Sequence, residues 1–280
     1  MPKVSIILPA YNCSRYLPES VASVLAQTFR DFELFIIDDG STDDTGELVK
    51  RYLSDARVAY IRQDHGGLSS ARNKGIDNSR GNYIAFIDGD DICVKEKIEK
   101  QLRVMERDRN IDVVYSSERY FCDDAPEKSL PSPYEKLSGD LLIFLKRSNF
   151  IHISTVMARH SSIEGIRFDP FLKSHEDWDF FLKLAEKRKK YFYLAEELSL
   201  IRVRKDSMTT ASPIMDSSRT LVGERAQKIW VHLKKESRIT TPSGIAKFVR
   251  RLTLKTRAWL LGFPASPRFN RPLPFREVTR

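Results

Sequence analysis

Short apolar runs alternate with longer amphipathic stretches through the first hundred residues. "VSIIL" at 4–8 and "FELFII" at 32–37 are apolar at nearly every position, the pattern of strands covered on both faces. Between them, "LPESVASVLAQTF" sets Val21, Val24, Leu25 and Phe29 at helical spacing, with Pro18 near the start. "VAYIRQ" predicts a third strand and "NYIAFID" a fourth. "TGELVKRYL" and "GGLSSARNKGIDNS" predict the helices before them, with N-caps among residues 41–45 for the first and Gly81 closing the second. Strands spaced by helices in this way build βαβ units and a mostly parallel sheet.

The pattern then loosens. A helix is predicted from about 95 to 107, followed by the strand "DVVYSS". "DDAPEKSLPSPYEKLSG" is polar and proline-bearing and predicts a long loop or lid. "DLLIFLKRSN" reads as a helix and "ISTVMAR" as a strand. "SHEDWDFFLKLAEKRKKYFYL" opens a helix with acids and ends in another strand, and "IRVRKDSMTTASP" predicts a mobile loop. No internal repeat or low-complexity segment occurs.

Composition adds a boundary. The apolar share of 41% and charged share of 30% are those of a globular protein. The net charge of +9 is uneven: residues 211–280 hold 15 Lys/Arg against 4 Asp/Glu, and the rest of the chain is slightly acidic. We therefore expect an α/β domain over 1–210, in halves 1–95 and 96–210, and a basic helical extension over 211–280. Cys13, Cys93 and Cys122 show no disulfide or zinc spacing. The start shows no charged-then-apolar leader, and no apolar run reaches about 18 residues, so a cytoplasmic location is expected.

In an open α/β sheet the ligand lies beyond the carboxyl ends of the strands. Each of the four strands ends in polar residues: Tyr11 and Asn12, Asp38 and Asp39, Gln63 to His65, and Asp88 to Asp91. Neither GxGxxG nor a P-loop is present. Asp88 and Asp90 lie two apart, so an extended strand end would point both to one side, and such oxygen ligands suit Mg2+ or Mn2+. A helix N-cap by Asp90 or Asp91 is the structural alternative. One of Asp38 and Asp39 would cap the Ser41 turn while the other faces the cleft. Tyr11 offers a face for stacking a base, and Arg72 a fork for phosphate. Four titratable groups, His175, Glu176, Asp177 and Asp179, crowd the start of one helix; neighbouring acids raise a carboxyl pKa toward general-base range. Asn149, His152 and Ser154 fall between the acid clusters and are candidates for an acceptor site.

In combination and order, "VSIILPAYNCSRYLPESVASVLAQTFRDFELFIIDDGSTDDT", "GGLSSARNKGI", "GNYIAFIDGDD" and "HEDWDFFLKLA" resemble the inverting family 2 glycosyltransferases of GT-A fold, from about residue 4 to 210. The resemblance implies a Rossmann-like, mostly parallel sheet flanked by helices, a nucleotide-diphosphate-sugar donor and Mn2+ or Mg2+. It implies Pro9, Tyr11 and Asp39 around the base, with Arg72 on the nucleotide side. Asp88 would contact ribose or metal, Asp90 would be the principal metal ligand, and Asp177 the base. Glu176, His175 and His152 would support the acceptor side. Many relatives carry a histidine where this chain has Arg204. Arg202 or Arg204 would instead clamp the diphosphate, since a guanidinium is no metal ligand.

In the basic extension, residues 244–263 place Ile245, Phe248, Val249, Leu252, Trp259 and Leu260 near one helical face. Such a helix suits an anionic membrane surface, as a peripheral enzyme with a glycan or lipid-linked acceptor would need, or packing on its own domain. No aromatic-basic module supports nucleic acid. Two other readings stay open: a polyprenyl-phosphate sugar transferase, and a nucleotide-sugar binding module without turnover.

Overall fold

The computed structural model describes residues 1–204, except 124, 133 and 135, together with Val222. Apart from Val222, the extension read as helical over 211–280, with its membrane-facing segment 244–263, lies outside the described residues.

Among the described residues, nine strands form one mixed sheet. β1 (Val4–Ala10), β2 (Phe32–Asp38), β3 (Val58–Arg62) and β4 (Tyr83–Phe86) are parallel, in the order β3-β2-β1-β4. Beyond β4 come β8 (Val156–Arg159), antiparallel, then β6 (Val113–Cys122), β9 (Tyr191–Val203) and the two-residue β5 (Ile92–Cys93). Both faces are covered, as the unbroken apolar runs require. Ile6, Leu8, Leu34 and Ile36 pack with Val21 and Val24 of α1 (Leu17–Leu25) on one side. The alternate residues Phe35 and Ile37 meet Ala71 of α3 (Leu68–Asn78) on the other.

Two glycines set close approaches. A Cβ on Gly75 would meet Ile7 Cγ2 at 2.4 Å, so its absence lets α3 lie directly on β1. Gly81 does not close α3, contrary to the sequence reading. Instead its Cβ would sit 2.5 Å from the Ser5 amide, and its own N–H donates to Ser5 Oγ at 2.8 Å. The need at Gly81 is space beside β1, not a helix stop.

Three further expectations change. The polar stretch after Cys122 is not all loop: β7 (Ala125–Pro131) pairs back on β6 at the sheet edge, where Pro131 is tolerated. Residues 201–203, read as loop, complete β9, because β6 runs long enough to pair as far as Cys122 with Val203. The helix of the "DLLIFLKRSN" stretch is a single turn, α5 (Leu142–Leu145). The remaining helices are α2 (Thr45–Lys50), α4 (Lys97–Arg107) and α6 (Glu176–Glu186). No helix among the described residues is long and apolar enough to cross a membrane.

The register aligns Ala10 with Asp38 and Asp38 with Arg62, so β1, β2 and β3 end level. After β3 the chain crosses to the far side of β1 to lay down β4. The strand order therefore reverses between β1 and β4, where a ligand crevice forms in such sheets.

Candidate active site

The β2 end supplies two acids with opposite fates. Asp38 is fully buried: Oδ1 accepts from the Ser41 amide at 2.8 Å and Oδ2 from the Tyr60 hydroxyl at 2.6 Å. Asp38 thus closes the Ser41 turn. Asp39 accepts through Oδ1 from Gln63 Nε2 (2.7 Å) and the Gly66 amide (2.9 Å). Its Oδ2 accepts from the Gly67 amide at 2.8 Å and lies 2.8 Å from His65 Nδ1. The imidazole stacks on Tyr11, with centroids 4.2 Å apart and planes at 24°. Pro9 is buried in β1 opposite Ile37.

Arg72, on α3, is not at the surface. It is 1% exposed, and its fork is divided between Asp88 Oδ1 and Glu176 Oε1, both at 2.6 Å. Burial opposes its charge, but the two carboxylates outweigh burial and hold the proton more firmly than usual. The guanidinium also lies 5.3 Å from the Phe168 ring centre. It ties the β4 acids to the start of α6.

The β4 acids are poorly compensated. Burial first, then Asp88, raises the Asp90 carboxyl above its ordinary range, and Arg204 opposes the rise. Burial again, then Asp90 and Asp88, pushes Asp91 well up. Asp91 accepts from Ser154 Oγ at 2.6 Å and from the Arg202 amide at 3.0 Å. It does not cap α4, whose N-cap residue is Glu96, without a side-chain capping bond. Asp88, Asp91 and His152 each offer a ligand atom within 4.8 Å of the others. Sequence reasoning put the ion on Asp88 and Asp90. In the fold, the Asp90 carboxylate pairs with Arg204 at 3.0 Å, and Asp91 joins Asp88 and His152.

At the start of α6, His175 takes a left-handed conformation (φ 58°), which turns the chain so that the next residues enter the helix. Glu176 is committed to Arg72, and Asp179 pairs with Lys183 at 2.8 Å. Asp177 is half-buried and takes part in neither of these pairings. Its Oδ1 accepts from the Trp178 amide at 2.7 Å and its Oδ2 from Asn149 Nδ2 at 3.0 Å. Burial and then Glu176 push its pKa up to about 6, against the opposing charges of Arg72 and His152. The segment carrying Asn149, His152 and Ser154 therefore spans the two acid clusters, touching Asp177 at one end and Asp91 at the other.

The two arginines at the end of β9, Arg202 within it and Arg204 just beyond, differ. Arg202 is 8% exposed and its donors are spent on the Asp90 carbonyl (2.9 Å), Asp123 (2.7 Å) and Glu19. It braces the β4 turn from within. Arg204 lies over the Tyr16 ring at 4.9 Å and reaches the Asp90 carboxylate, so it is the one poised at the acids.

Comparison with known proteins places this architecture. The profile of Glycosyl transferase family 2 matches residues 5–171, more than half of the chain. The chain belongs to glycosyl transferase family 2. An uncharacterized glycosyltransferase of Haemophilus influenzae is 36% identical over 214 residues, covering 75% of this chain and 83% of that protein. One from Rickettsia bellii is 35% identical over 212 residues, and there the match spans 30% of the relative's length. The chain also shares its fold with solved glycosyltransferase structures. S. aureus TarS 1-349 in complex with UDP-GlcNAc superposes with a TM-score of 0.67 at 20% identity, over 91% of this chain and 77% of that one. The mannosyltransferase PcManGT from Pyrobaculum calidifontis, in complex with GDP-Man and Mn2+, gives 0.59 at 14% identity, over 93% and 83%. The α/β, Rossmann-like mixed sheet expected from the motifs is thus the observed fold.

Some partners gave no sequence signal. Tyr60 meets Asp38 only because β3 pairs in register with β2, and Asp123 reaches Arg202 from the start of a hairpin the sequence did not predict. The Asp91–His152 proximity joins residues 61 positions apart.

Proposed function

We propose that this glycosyltransferase transfers a sugar from a nucleoside-diphosphate donor, UDP-linked in preference, to a hydroxyl of a glycan or lipid-linked sugar. We further propose that the anomeric configuration inverts. The observation that carries this reading is Asp177: a half-buried carboxylate with its pKa raised to about 6, fixed by Asn149 and Trp178. It is ionised at neutral pH yet basic enough to accept a proton from an attacking hydroxyl. A phosphate acceptor, as in a polyprenyl-phosphate transferase, would need no such base.

The β4 end fits Mn2+ or Mg2+. The raised affinity of Asp90 and Asp91 for protons marks negative charge that the protein does not fully offset, and carboxylate oxygens are the ligands such hard ions prefer. Asp88 with Asp90 or Asp91, and His152 beside them, would hold the ion. When bound, it would stabilise the charge that develops on the leaving diphosphate. The ligands held by TarS and PcManGT, a UDP-sugar in one and a GDP-sugar with Mn2+ in the other, agree with this class of donor.

The chain's own residues then divide the work. Tyr11 and Asp39 take the base, and Arg204 moves from Asp90 toward the diphosphate. Arg72 keeps Asp88 and Glu176 at fixed separation, so donor and base stay in one geometry. Asp177 removes the acceptor proton as the hydroxyl attacks opposite the diphosphate, the single displacement that inverts the centre. We also propose that the catalytic domain ends near residue 210 and that the basic extension, through 244–263, brings the enzyme to an anionic membrane surface.

Calorimetric titration of UDP with Mn2+, and again with EDTA, tests the donor half. Binding that requires Mn2+ is the expected result; equal binding in EDTA removes the ion from the reading.

A further inference from the structure

We propose that His65 is a built-in placeholder for the nucleobase, holding its subsite until the donor displaces it. The inference rests on the reading of Tyr11 and Asp39 as the base subsite. A base binding there needs two things, a flat face to stack on and an acceptor for a ring N–H or amino group. His65 already takes both. Its imidazole covers the Tyr11 ring at 4.2 Å, and Nδ1 lies 2.8 Å from Asp39 Oδ2 and 3.1 Å from the Asp39 carbonyl. Both neighbours of Nδ1 are acceptors, so Nδ1 carries the proton.

The Asp39 carboxylate has no vacant lone pair for a base. An ionised carboxylate accepts about four hydrogen bonds. Here Gln63 Nε2 and the Gly66 amide fill Oδ1, and the Gly67 amide and His65 Nδ1 fill Oδ2. One of these four must leave before a base N–H can bind. Two are backbone amides, and Gln63 is held a second time by Ser70 Oγ at 3.0 Å. His65 is the exchangeable one. Its side chain is 56% exposed and is held by Asp39 and the Tyr11 stack alone among the contacts described. Rotation of this one side chain frees the Tyr11 face and the Oδ2 position together. The donor therefore exchanges one ring and one N–H for another, and its net gain at the base is smaller than a vacant subsite would give.

The test is calorimetry on the full chain with Mn2+, titrating UDP and, separately, inorganic pyrophosphate into wild type, His65→Ala and His65→Asn. Removing the competitor is expected to tighten UDP about three- to tenfold, the equivalent of one net hydrogen bond with its stacking. Asparagine cannot stack as imidazole does, so H65N should tighten UDP in the same direction, and it keeps a polar side chain in the loop should alanine disturb folding. Pyrophosphate, which has no base, should bind all three proteins alike. If UDP binds wild type more tightly than pyrophosphate does, but H65A and H65N bind it equally well or less well than wild type, the placeholder is overturned while the base subsite stands. If UDP binds no tighter than pyrophosphate in all three, the base subsite itself is wrong and the placeholder falls with it.

Discussion

Strands β2 and β4 both end in acids, and the fold treats the two ends in opposite ways. At the β2 end, Asp38 and Asp39 are met by amides, a hydroxyl, a carboxamide and an imidazole, nearly all from residues 41–67. At the β4 end, Asp90 and Asp91 bind protons more tightly than ordinary carboxylates because burial and mutual repulsion outrun the donors supplied. Apart from Arg72, which reaches Asp88 from 16 positions away, what compensation exists there comes from far along the chain, through Ser154, Arg202 and Arg204. Acids satisfied by local donors form a rigid frame. Acids left short of positive charge form a place where an added cation gains free energy.

The contrast sharpens if proton abstraction separates cleanly from the β4 acids. Asp177→Asn keeps the size of the side chain and removes the base. Transfer in single-turnover assays should fall by about 10²- to 10⁴-fold, the usual contribution of a positioned base. Affinity for UDP with Mn2+ should stay within about twofold, since Asp177 is outside the Asp88, Asp91 and His152 group. The same carboxyl, with its pKa near 6, gives wild type a rate that declines as pH drops below that value, because the protonated acid cannot accept. Wild-type turnover in the variant would detach Asp177 from the mechanism.

Arg72 is the link between the β4 end and α6, and its loss should break the contrast from the structural side. Arg72→Met preserves much of the volume but leaves Asp88 and Glu176 without their shared cation. Removing one partner from a buried ion pair costs about 3–5 kcal/mol. Urea unfolding should show a loss of that order. A loss below about 1 kcal/mol would mean that water or a rotated neighbour compensates both acids.

A smaller effect measures the cation deficit itself. The folded-state pKa values of Asp90 and Asp91 lie above the unfolded ones, so the ion-free protein loses stability as pH rises from the ordinary carboxylate range through the raised values. Bound Mn2+ replaces those protons, so its affinity rises over the same interval. At ten times its Kd the ion should add about 1.4 kcal/mol to stability. The thermal shift from a fixed Mn2+ concentration should therefore be larger at neutral pH than near the ordinary Asp pKa of about 3.9, and should vanish in Asp88→Asn. A shift independent of both pH and Asp88 would place the ion elsewhere.

The same contrast explains what was legible from the residues alone. Strands β1 to β4 and helices α1 to α4 follow from apolar runs and helical spacing, and their ends carry the motif acids, so half of the site could be read directly. At the β2 end the Ser41 turn was legible, because its donor lies three residues from Asp38, whereas the Tyr60 contact was not. The β4 end was not: whether Asp90 or Asp91 joins Asp88 depends on β9 delivering Arg202 and Arg204, and on the turn before β8 delivering His152 and Ser154. Arg72 looked like a phosphate ligand because its type fits, and only the packing of α3 on β1 buries it. Residues 125–131 gave no strand signal, since their pairing is imposed by the length of β6.

The smallest prediction tests the satisfied end. Tyr60→Phe deletes a single hydroxyl, the one that donates to Asp38 Oδ2 at 2.6 Å, and leaves the ring in place. The Asp38 carboxylate then keeps the Ser41 amide on Oδ1 and a longer contact of 3.5 Å from Arg62 on Oδ2. Loss of one donor to a buried charged acceptor costs about 1.5–3 kcal/mol when nothing replaces it, and less when a neighbour does. Arg62 is half exposed and close enough to move in, so about 1 kcal/mol in urea unfolding is the expected outcome. Mn2+ affinity should not change, because Asp38 belongs to the frame and not to the ion's surroundings. A change in Mn2+ binding in this variant would show that the β2 and β4 ends are coupled, and the division between a satisfied frame and an under-compensated centre would have to be redrawn as one continuous network.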